Sequence, residues 1–292
     1  MEMLANIFRT RGTHASAASY VCGVAIVLSA CGWTAAQQSA AGAGSSSLDY
    51  DTAQHMGRLS QVAEVKLLSA GGLKPGVDGL VAEFEKSSGS KLTVSYGTAG
   101  AVVDRFQKGE AADVVIASGA QIDELQKQGK VVQGSRVNIA KVGIGIFVRK
   151  GSAKPDLTSV EDFTRLLSAA KTIVYVDPAK GAASGIYMAS LLDRLGIAAA
   201  MQPKTKLFPS PDAPMYESVA SGEADLGFSL ITEILAQPGV ELAGPLPSAI
   251  QNYTQFAAGI SAGSTQPDAG KALVTLLSSP AAQAVLRTKG FE

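Results

Sequence analysis

From Val62 onward, the chain alternates between short apolar segments and longer segments with apolar residues at helical spacing. The predicted strands Glu64–Ser69, Lys91–Tyr96 and Ala112–Ser118 are each followed by a predicted helix. Parallel strands need a crossover of this kind before the next strand can join the same sheet. The pattern therefore predicts an α/β fold built on doubly wound parallel sheets.

Two longer apolar segments, Ile139–Arg149 and Tyr253–Ser261, interrupt this alternation. The first separates an early block of strand–helix units from a later one, and the second leads into two closing helices. Two blocks bridged by two long strands predict two lobes with a cleft between them. We assign residues 62–146 plus 254–292 to lobe I and residues 147–253 to lobe II.

The N-terminal residues have a different composition. An apolar segment, Ala15–Ala30, follows two arginines and is long enough for the core of a signal peptide, which we assign to residues 1–31. It ends in Leu-Ser-Ala-Cys at residues 28–31, which resembles the bacterial lipobox and implies a lipid on Cys31. The alternative is ordinary cleavage near Ala36. Residues 32–61, rich in Ala, Gly, Ser and Gln, are predicted to be a flexible tether.

Composition narrows the possible functions. The chain has 25 Lys+Arg and 25 Asp+Glu, so no net charge attracts nucleic acid or a membrane surface. We expect an exported monomer that contacts the membrane only through its lipid. Residues 62–292 contain no His and no Cys, which removes Ser-His-Asp and Cys-His catalysis and metal sites built from those residues. No cofactor or metal is expected.

Four turns between a predicted strand and a predicted helix are unusually rich in small residues. They are SAGGLKPG (Ser69–Gly76), YGTAGA (Tyr96–Ala101), PAKGAASG (Pro178–Gly185) and PSPDAPM (Pro209–Met215). In open α/β sheets, ligands bind outside the carboxyl ends of the strands, and helix N-termini bind anions through free N–H groups. The four turns therefore predict a site for a small anion.

Several stretches carry a resemblance to a known family, namely VKLLSAGGL, GEAADVVIAS, VDPAKGAASGIYMASLLDRLG, GEADLGF and SSPAAQAVLRTKGF. From about Glu64 to Glu292 the chain resembles the molybdate-binding, ModA-like, periplasmic substrate-binding proteins of ABC transporters. The resemblance implies the bilobal type II periplasmic-binding-protein fold, with two doubly wound sheets joined by two crossover strands. It also implies capture of a small anion for an ABC transporter permease.

In that family, serine hydroxyls, backbone N–H groups and a tyrosine hydroxyl hold the oxyanion. Carried over by position, the two serines fall on Gly72 and Ala99, and the tyrosine falls on Leu230. The ligand-binding residues expected from the resemblance and the turns are Gly71, Gly72, Lys74, Thr98, Ala99, Ser184, Asp212 and Ser229. Because two serine hydroxyls and the phenol are missing, the expected ligand is either a molybdate-type oxyanion or an organic acid anion. Lys74 or Arg105 would then pair with a carboxylate.

An enzyme on the same fold is the alternative hypothesis. The ModA-like group includes an exported isomerase that acts on aconitate, an unsaturated tricarboxylate. Proton abstraction next to a carboxylate needs one base and one cation. Asp212 is the candidate base, and Lys74 or Arg105 the candidate cation. We expect a binding protein without catalytic residues, and each of these three side chains also has a structural interpretation: solvated Lys74, an exposed helix face for Arg105, and a helix N-cap for Asp212.

Overall fold

A computed structural model describes residues 62–292. The predicted signal peptide, the lipobox with Cys31 and the tether lie outside the described residues. The strands of the described part are β1 (Glu64–Ala70), β2 (Lys91–Gly97), β3 (Val114–Ser118), β4 (Val137–Arg149), β5 (Ile173–Val176), β6 (Thr205–Phe208), β7 (Leu226–Leu230), β8 (Val240–Pro245) and β9 (Tyr253–Ile260).

The helices of the same part follow the strands in chain order. They are α1 (Lys74–Asp78), α2 (Val81–Ser88), α3 (Ala99–Gln107), α4 (Gly119–Lys127), α5 (Val160–Ala169), α6 (Ala183–Arg194), α7 (Ala198–Met201), α8 (Met215–Ser221), α9 (Ile231–Leu235), α10 (Pro267–Leu277) and α11 (Pro280–Thr288). Single 3-10 turns occupy Gly71–Leu73, Pro178–Lys180, Gln202–Lys204 and Ser248–Ile250. None of these helices is long and apolar enough to cross a membrane.

The strands form one hydrogen-bonded path in the order β2-β1-β3-β9-β4-β7-β5-β6, with β8 beside β4. The pairs that β1 makes with β2 and β3 are parallel, as are those of β5 with β6 and β7. Strands β4, β8 and β9 pair antiparallel. The predicted α/β periplasmic-binding-protein fold is confirmed.

Strand β4 is shared by two half-sheets. Its first part, Val137–Gly143, pairs with β9, and its second part, from Ile144, pairs with β7 and β8. Strands β2, β1, β3 and β9 therefore complete a first half-sheet, and β7, β5, β6 and β8 complete a second. The predicted division into lobes at residues 146/147 and 253/254 falls inside β4 and at the start of β9, and it stays a prediction.

Local chemistry explains where elements differ from the sequence prediction. The apolar spacing over Pro75–Lys86 predicts one helix, but the structure has two, because α1 ends at Asp78 with Gly79 as its C-cap and α2 begins at Val81. The sequence also predicts a helix from Ala213, and this helix begins at Met215, after Pro214. Strand β8 was not predicted, because its sequence VELAGP contains Gly and Pro, which usually indicate a turn.

A buried carboxylate, Asp113, fixes the connection between β1, β3 and the turn after β9. Its Oδ2 accepts from the N–H of Lys66 at 2.8 Å. Its Oδ1 accepts from the Ser264 hydroxyl at 2.7 Å and from the N–H groups of Thr265 and Gln266 at 3.0 and 3.1 Å. Burial alone would raise the pKa of Asp113, but these hydrogen bonds outweigh it and hold the pKa below its usual range.

Replacing this carboxylate should destabilise the fold in a pH-dependent way. Asp113→Asn places an amide NH2 against the donors around the side chain, so we expect a loss of about 1–3 kcal/mol of unfolding free energy at neutral pH. Because the pKa is lower in the folded state, the stabilisation is fully present above the unfolded-state pKa of about 3.9 and is lost as pH falls through the folded-state pKa. Urea unfolding at several pH values measures this difference.

Asp193→Asn, at an exposed position of α6, is the matched control and should leave the unfolding free energy nearly unchanged. An Asp113→Asn protein as stable as this control at neutral pH would contradict the assigned role.

Candidate functional site

A cavity of about 270 Å³ lies at the carboxyl ends of β1, β2, β6 and β7. All four small-residue turns contribute to its wall, through residues 70–72, 74–75, 96–99, 182–184 and 210–212. The remaining wall comes from other elements: Asp78, Leu230, Glu233, Ala236, Gln237 and Phe256. The turns singled out in the sequence therefore meet around one cavity.

Seven of the eight predicted ligand-binding residues line this cavity: Gly71, Gly72, Lys74, Thr98, Ala99, Ser184 and Asp212. Ser229 does not line it. It is fully buried on β7, and its hydroxyl donates to Glu233. Asp212 is exposed in the turn before α8, whose N-cap residue is Pro214, so the N-cap interpretation of Asp212 is wrong.

Two helices begin at the cavity. Helix α3 begins at Ala99, and α6 begins at Ala183. The N–H groups of Ala99 and Ser184 belong to the first turns of these helices, where no intrahelical acceptor exists. Residue Ser184 is 3% exposed, and it lines the cavity. Ala99 and Ser184 both line the cavity, so their N–H groups and the Ser184 hydroxyl are candidate donors to a ligand.

The turns before α3 and α6 touch each other through their main chains. The Gly100 N–H donates to the Gly181 carbonyl at 3.1 Å, and the Thr98 hydroxyl donates to the Lys180 carbonyl at 2.5 Å. A Cβ on Gly100 would lie 2.8 Å from the Cα of Gly181, so no larger residue fits there. Since the hydroxyl hydrogen of Thr98 is engaged in this contact, it does not point to a ligand.

Gly72 is required by packing and does not enlarge the cavity. A Cβ at this position would lie 2.4 Å from Cδ1 of Leu230 and 2.8 Å from Cζ of Phe256. In the molybdate-binding pattern a serine stands at position 72 and a tyrosine at position 230. Here Leu230 fills the space that a serine side chain at position 72 would need. The glycine at 72 and the leucine at 230 therefore form one coupled change from the pattern.

Lys74 is a rim residue of the cavity. Its Nζ lies 2.9 Å from Oδ2 of Asp78 and 4.5 Å from the centroid of the Tyr96 ring. The Tyr96 hydroxyl donates to Oδ1 of Asp78 at 2.6 Å. Burial, with the hydrogen bond to Asp78, raises the pKa of the Tyr96 phenol well above its usual range, so it stays protonated. Lys74 is therefore already paired at the edge of the site.

Arg105, the other candidate cation, does not line the cavity. Both oxygens of Glu110 accept from its guanidinium, one of them from Nε at 2.6 Å. The same group also donates to the Ser95 hydroxyl and the Tyr96 carbonyl. Its role in the described structure is to tie α3 to β2 and to the turn after α3.

Sequence reasoning missed Glu233, which lines the cavity from α9. Its Oε2 accepts from the Ser229 hydroxyl at 2.5 Å, and that hydroxyl accepts from the Tyr216 phenol at 3.0 Å. Burial raises the pKa of Glu233 to about 7, and Asp212 adds to the increase. Near neutral pH this carboxyl therefore exists in both protonation states.

Four charged side chains thus line the cavity, Lys74, Asp78, Asp212 and Glu233. Three of them are acidic, and the one cation is paired with one of the acids. No cluster of three or more side chains suited to hold a metal ion occurs among residues 62–292. The donors to an anion are backbone N–H groups and the Ser184 hydroxyl.

Comparisons with known proteins agree with this fold. A model of the bacterial extracellular solute-binding protein family matches residues 65–292. An aconitate isomerase from Pseudomonas sp is 30% identical over 237 residues, covering 79% of this chain and 88% of the relative. The molybdate-binding protein ModA of Azotobacter vinelandii is 28% identical over 240 residues, covering 80% and 91%.

Among solved structures, the sulfate-binding protein SubI from Mycobacterium tuberculosis H37Rv superposes with a TM-score of 0.64 at 19% identity, covering 78% of this chain and 86% of that one. The fold and the cavity define a ModA-like substrate-binding protein. The chain belongs to the bacterial extracellular solute-binding protein family. The family model and the ModA relative describe solute-binding proteins, and the aconitate isomerase is a relative of another kind.

The mutual exclusion of Gly72 and Leu230 can be measured. Gly72→Ser should lower the unfolding free energy by about 1–3 kcal/mol, because the new side chain overlaps Leu230 and Phe256. Leu230→Ala alone should also destabilise, by about 2–5 kcal/mol, through the lost packing. Combined, the two changes should cost at least about 1 kcal/mol less than their sum, as urea unfolding of all four proteins measures.

Gly263→Ser is the matched control, since a Cβ there meets only the Ser261 hydroxyl, at 3.8 Å. Additive effects in the cycle would contradict the coupling of the two positions.

Proposed function

We propose that this protein is the extracytoplasmic binding component of an ABC importer and captures a small anion in the cavity that the four turns line. One observation carries the proposal: two helices begin at the cavity, and Ser184, in the first turn of one of them, lines it. A helix N-terminus favours negative charge, through its free N–H groups and its dipole.

The available donors suffice for a useful affinity. A micromolar dissociation constant corresponds to about −8 kcal/mol. Each charge-assisted hydrogen bond contributes about 1.5–3 kcal/mol, so about four are needed before association costs. The N–H groups of Gly72, Ala99 and Ser184, with the Ser184 hydroxyl, supply four. Thr98 is not needed for this count.

The side chains around the donors favour an organic acid anion over molybdate. Leu230 replaces a phenol, and Gly72 and Ala99 replace two serine hydroxyls, of the molybdate-binding pattern. An oxyanion surrounded by donors on all sides would therefore lose three of them. Their apolar surfaces, with those of Pro75 and Phe256, suit a carbon skeleton. Lys74 at the rim is placed to meet a second carboxylate.

Export and delivery complete the proposal. The lipobox-like residues 28–31 favour a protein held at the cell envelope by a lipid on Cys31, with residues 32–61 as the tether. A monomer would then carry its anion to the permease of the importer. Movement of the lobes about β4 and β9 is the proposed signal to that permease.

Ligand binding tests the proposal directly. A thermal-shift screen should compare molybdate, tungstate, sulfate, phosphate, citrate and both aconitates. An anion present at 100 times its dissociation constant should add about 2.7 kcal/mol of stability, which for a protein of this size is a rise in Tm of about 5–10 °C. Ser184→Ala should weaken the anion that binds best by at least about tenfold in calorimetry, because it removes a charge-assisted hydrogen bond.

Ser190→Ala, at an exposed position of the same helix, should bind like the wild-type protein. If no anion raised the Tm, or if Ser184→Ala bound as tightly as this control, the assigned site would be wrong.

A second candidate function, isomerisation of an unsaturated tricarboxylate, is favoured by Glu233 together with the 30% identical aconitate isomerase. A base whose pKa is near 7 suits proton transfer at neutral pH. In this reaction Glu233 would remove a proton from the methylene carbon of aconitate, the double bond would shift by one position, and the proton would return to the former vinyl carbon. Lys74 would stabilise the negative charge of the intermediate.

Proton NMR in D2O distinguishes the two candidates. An isomerase converts cis- to trans-aconitate and incorporates deuterium, and Glu233→Gln should lower that rate by at least about 100-fold, because it removes the base. Glu217→Gln, at an exposed position of α8, should leave the rate unchanged. Aconitate recovered unchanged and unlabelled would contradict the isomerase and leave the binding protein.

A further inference from the structure

On one side of the cavity, hydrogen bonds join the turn after β2 to the turn after β5. The Thr98 hydroxyl donates to the Lys180 carbonyl at 2.5 Å, and beside it the Gly100 N–H donates to the Gly181 carbonyl at 3.1 Å. The Thr98 side chain also accepts from the Ala101 N–H of its own helix at 3.1 Å. Because β2 belongs to the first half-sheet and β5 to the second, the bonds to Lys180 and Gly181 link the two half-sheets.

On the other side of the cavity, one hydrogen bond links the half-sheets in the opposite direction. The hydroxyl of Thr232, in α9 after β7, donates at 2.9 Å to the carbonyl of Gly72, in the turn after β1. Thr232 is 1% exposed and does not line the cavity, although Leu230 and Glu233 on either side of it do. Thr232 therefore joins two walls of the cavity from behind, where it cannot touch a ligand.

We propose that these bonds form a clasp, made by Thr98 and Gly100 on one side and Thr232 on the other, that holds the half-sheets closed around the cavity. Both points of the clasp join the same two half-sheets, so they open and close together. The clasp keeps the candidate donors of the two half-sheets in place before a ligand arrives. Its effect on a ligand rests on the proposed anion-binding function.

The clasp has two consequences for an anion. The apparent affinity for any ligand is reduced by the fraction of molecules that are not in the closed arrangement, and this fraction is the same for every ligand. The clasp also occupies three carbonyl oxygens beside the cavity, those of Gly72, Lys180 and Gly181. Without these donors the oxygens would remain as unpaired acceptors close to a bound anion.

Amide hydrogen exchange at Gly100 measures the clasp. Gly100 lies in the first turn of α3, where no intrahelical acceptor exists, so the Gly181 carbonyl is what protects its N–H. Exchange of this amide, followed by NMR on the purified protein, therefore reports how often the half-sheets separate. The Ala101 N–H is the internal reference, because its acceptor, Thr98, belongs to the same half-sheet.

Thr232→Val removes the hydroxyl on the far side of the cavity and keeps a side chain of similar size. We expect exchange at Gly100 to become at least about threefold faster, with Ala101 unchanged, because the loss of one bond of the clasp favours opening. Thr232→Ser keeps the hydroxyl and should exchange like the wild-type protein. Thr275→Val is the matched control, since the Thr275 hydroxyl donates, also at 2.9 Å, to Lys271 of its own helix.

Gly100→Ala opens the clasp from the other side. The added Cβ would lie 2.8 Å from the Cα of Gly181, so the two turns must separate, and position 100 does not line the cavity. Calorimetry with molybdate, sulfate, citrate and trans-aconitate should show the Kd of each anion that binds increased by one common factor of at least about fivefold. Gly263→Ala is the control, because a Cβ there meets only the Ser261 hydroxyl, at 3.8 Å.

The outcomes distinguish the clasp from the function that it serves. A Gly100 amide without protection in the wild-type protein, or one whose exchange is unchanged in Thr232→Val, would overturn the clasp and leave anion binding standing. Anions weakened by different factors in Gly100→Ala would also overturn it, since a contact with the ligand would then be lost. If the wild-type protein binds none of the four anions, the proposed function is contradicted, and the effect of the clasp on affinity with it.

Discussion

The continuous pairing of β4 is the constraint on which the rest of the structure depends. This one strand of 13 residues pairs with β9 along its first part and with β7 and β8 along its second. Its register therefore sets where Phe256 of β9 and Leu230 of β7 stand relative to each other. Both side chains converge on Gly72 in the turn after β1. The cavity exists where it does because the two half-sheets are held in register by a shared strand.

The hydrogen-bond donors that the fold supplies determine the electrostatic character of the cavity. Helix N-termini provide partial positive charge from the backbone, so the cavity does not need a cationic side chain for this purpose. Lys74 is paired with Asp78 instead. Arg105, close in sequence to one turn, is engaged by Glu110 and contributes structure only. The carboxyls of Asp212 and Glu233 line the same cavity as these helix N-termini.

Much of this arrangement could be predicted from the sequence, since its signals are local. Strand–helix alternation predicts the fold, and small residues between a strand and a helix predict the turns that line the cavity, including Ser184. Contacts between segments that are distant in the sequence could not be predicted. Examples are the packing of Leu230 against Gly72 and the hydrogen bond from the Thr98 hydroxyl to the Lys180 carbonyl. Glu233 was missed for the same reason. A glutamate in the first turn of a short helix is ordinary, and only its burial beside Ser229 and Tyr216 distinguishes it.

The contact between the turns before α3 and α6 has an evolutionary consequence. It is made by the main chains of Gly100, Lys180 and Gly181, with one threonine hydroxyl, and none of the side chains that give the cavity its chemistry takes part. Backbone groups are present whatever residues the lineage carries at Leu230, Asp212 or Glu233. Point substitutions at those positions can therefore change the chemistry of the cavity wall while the contact between the two turns is kept.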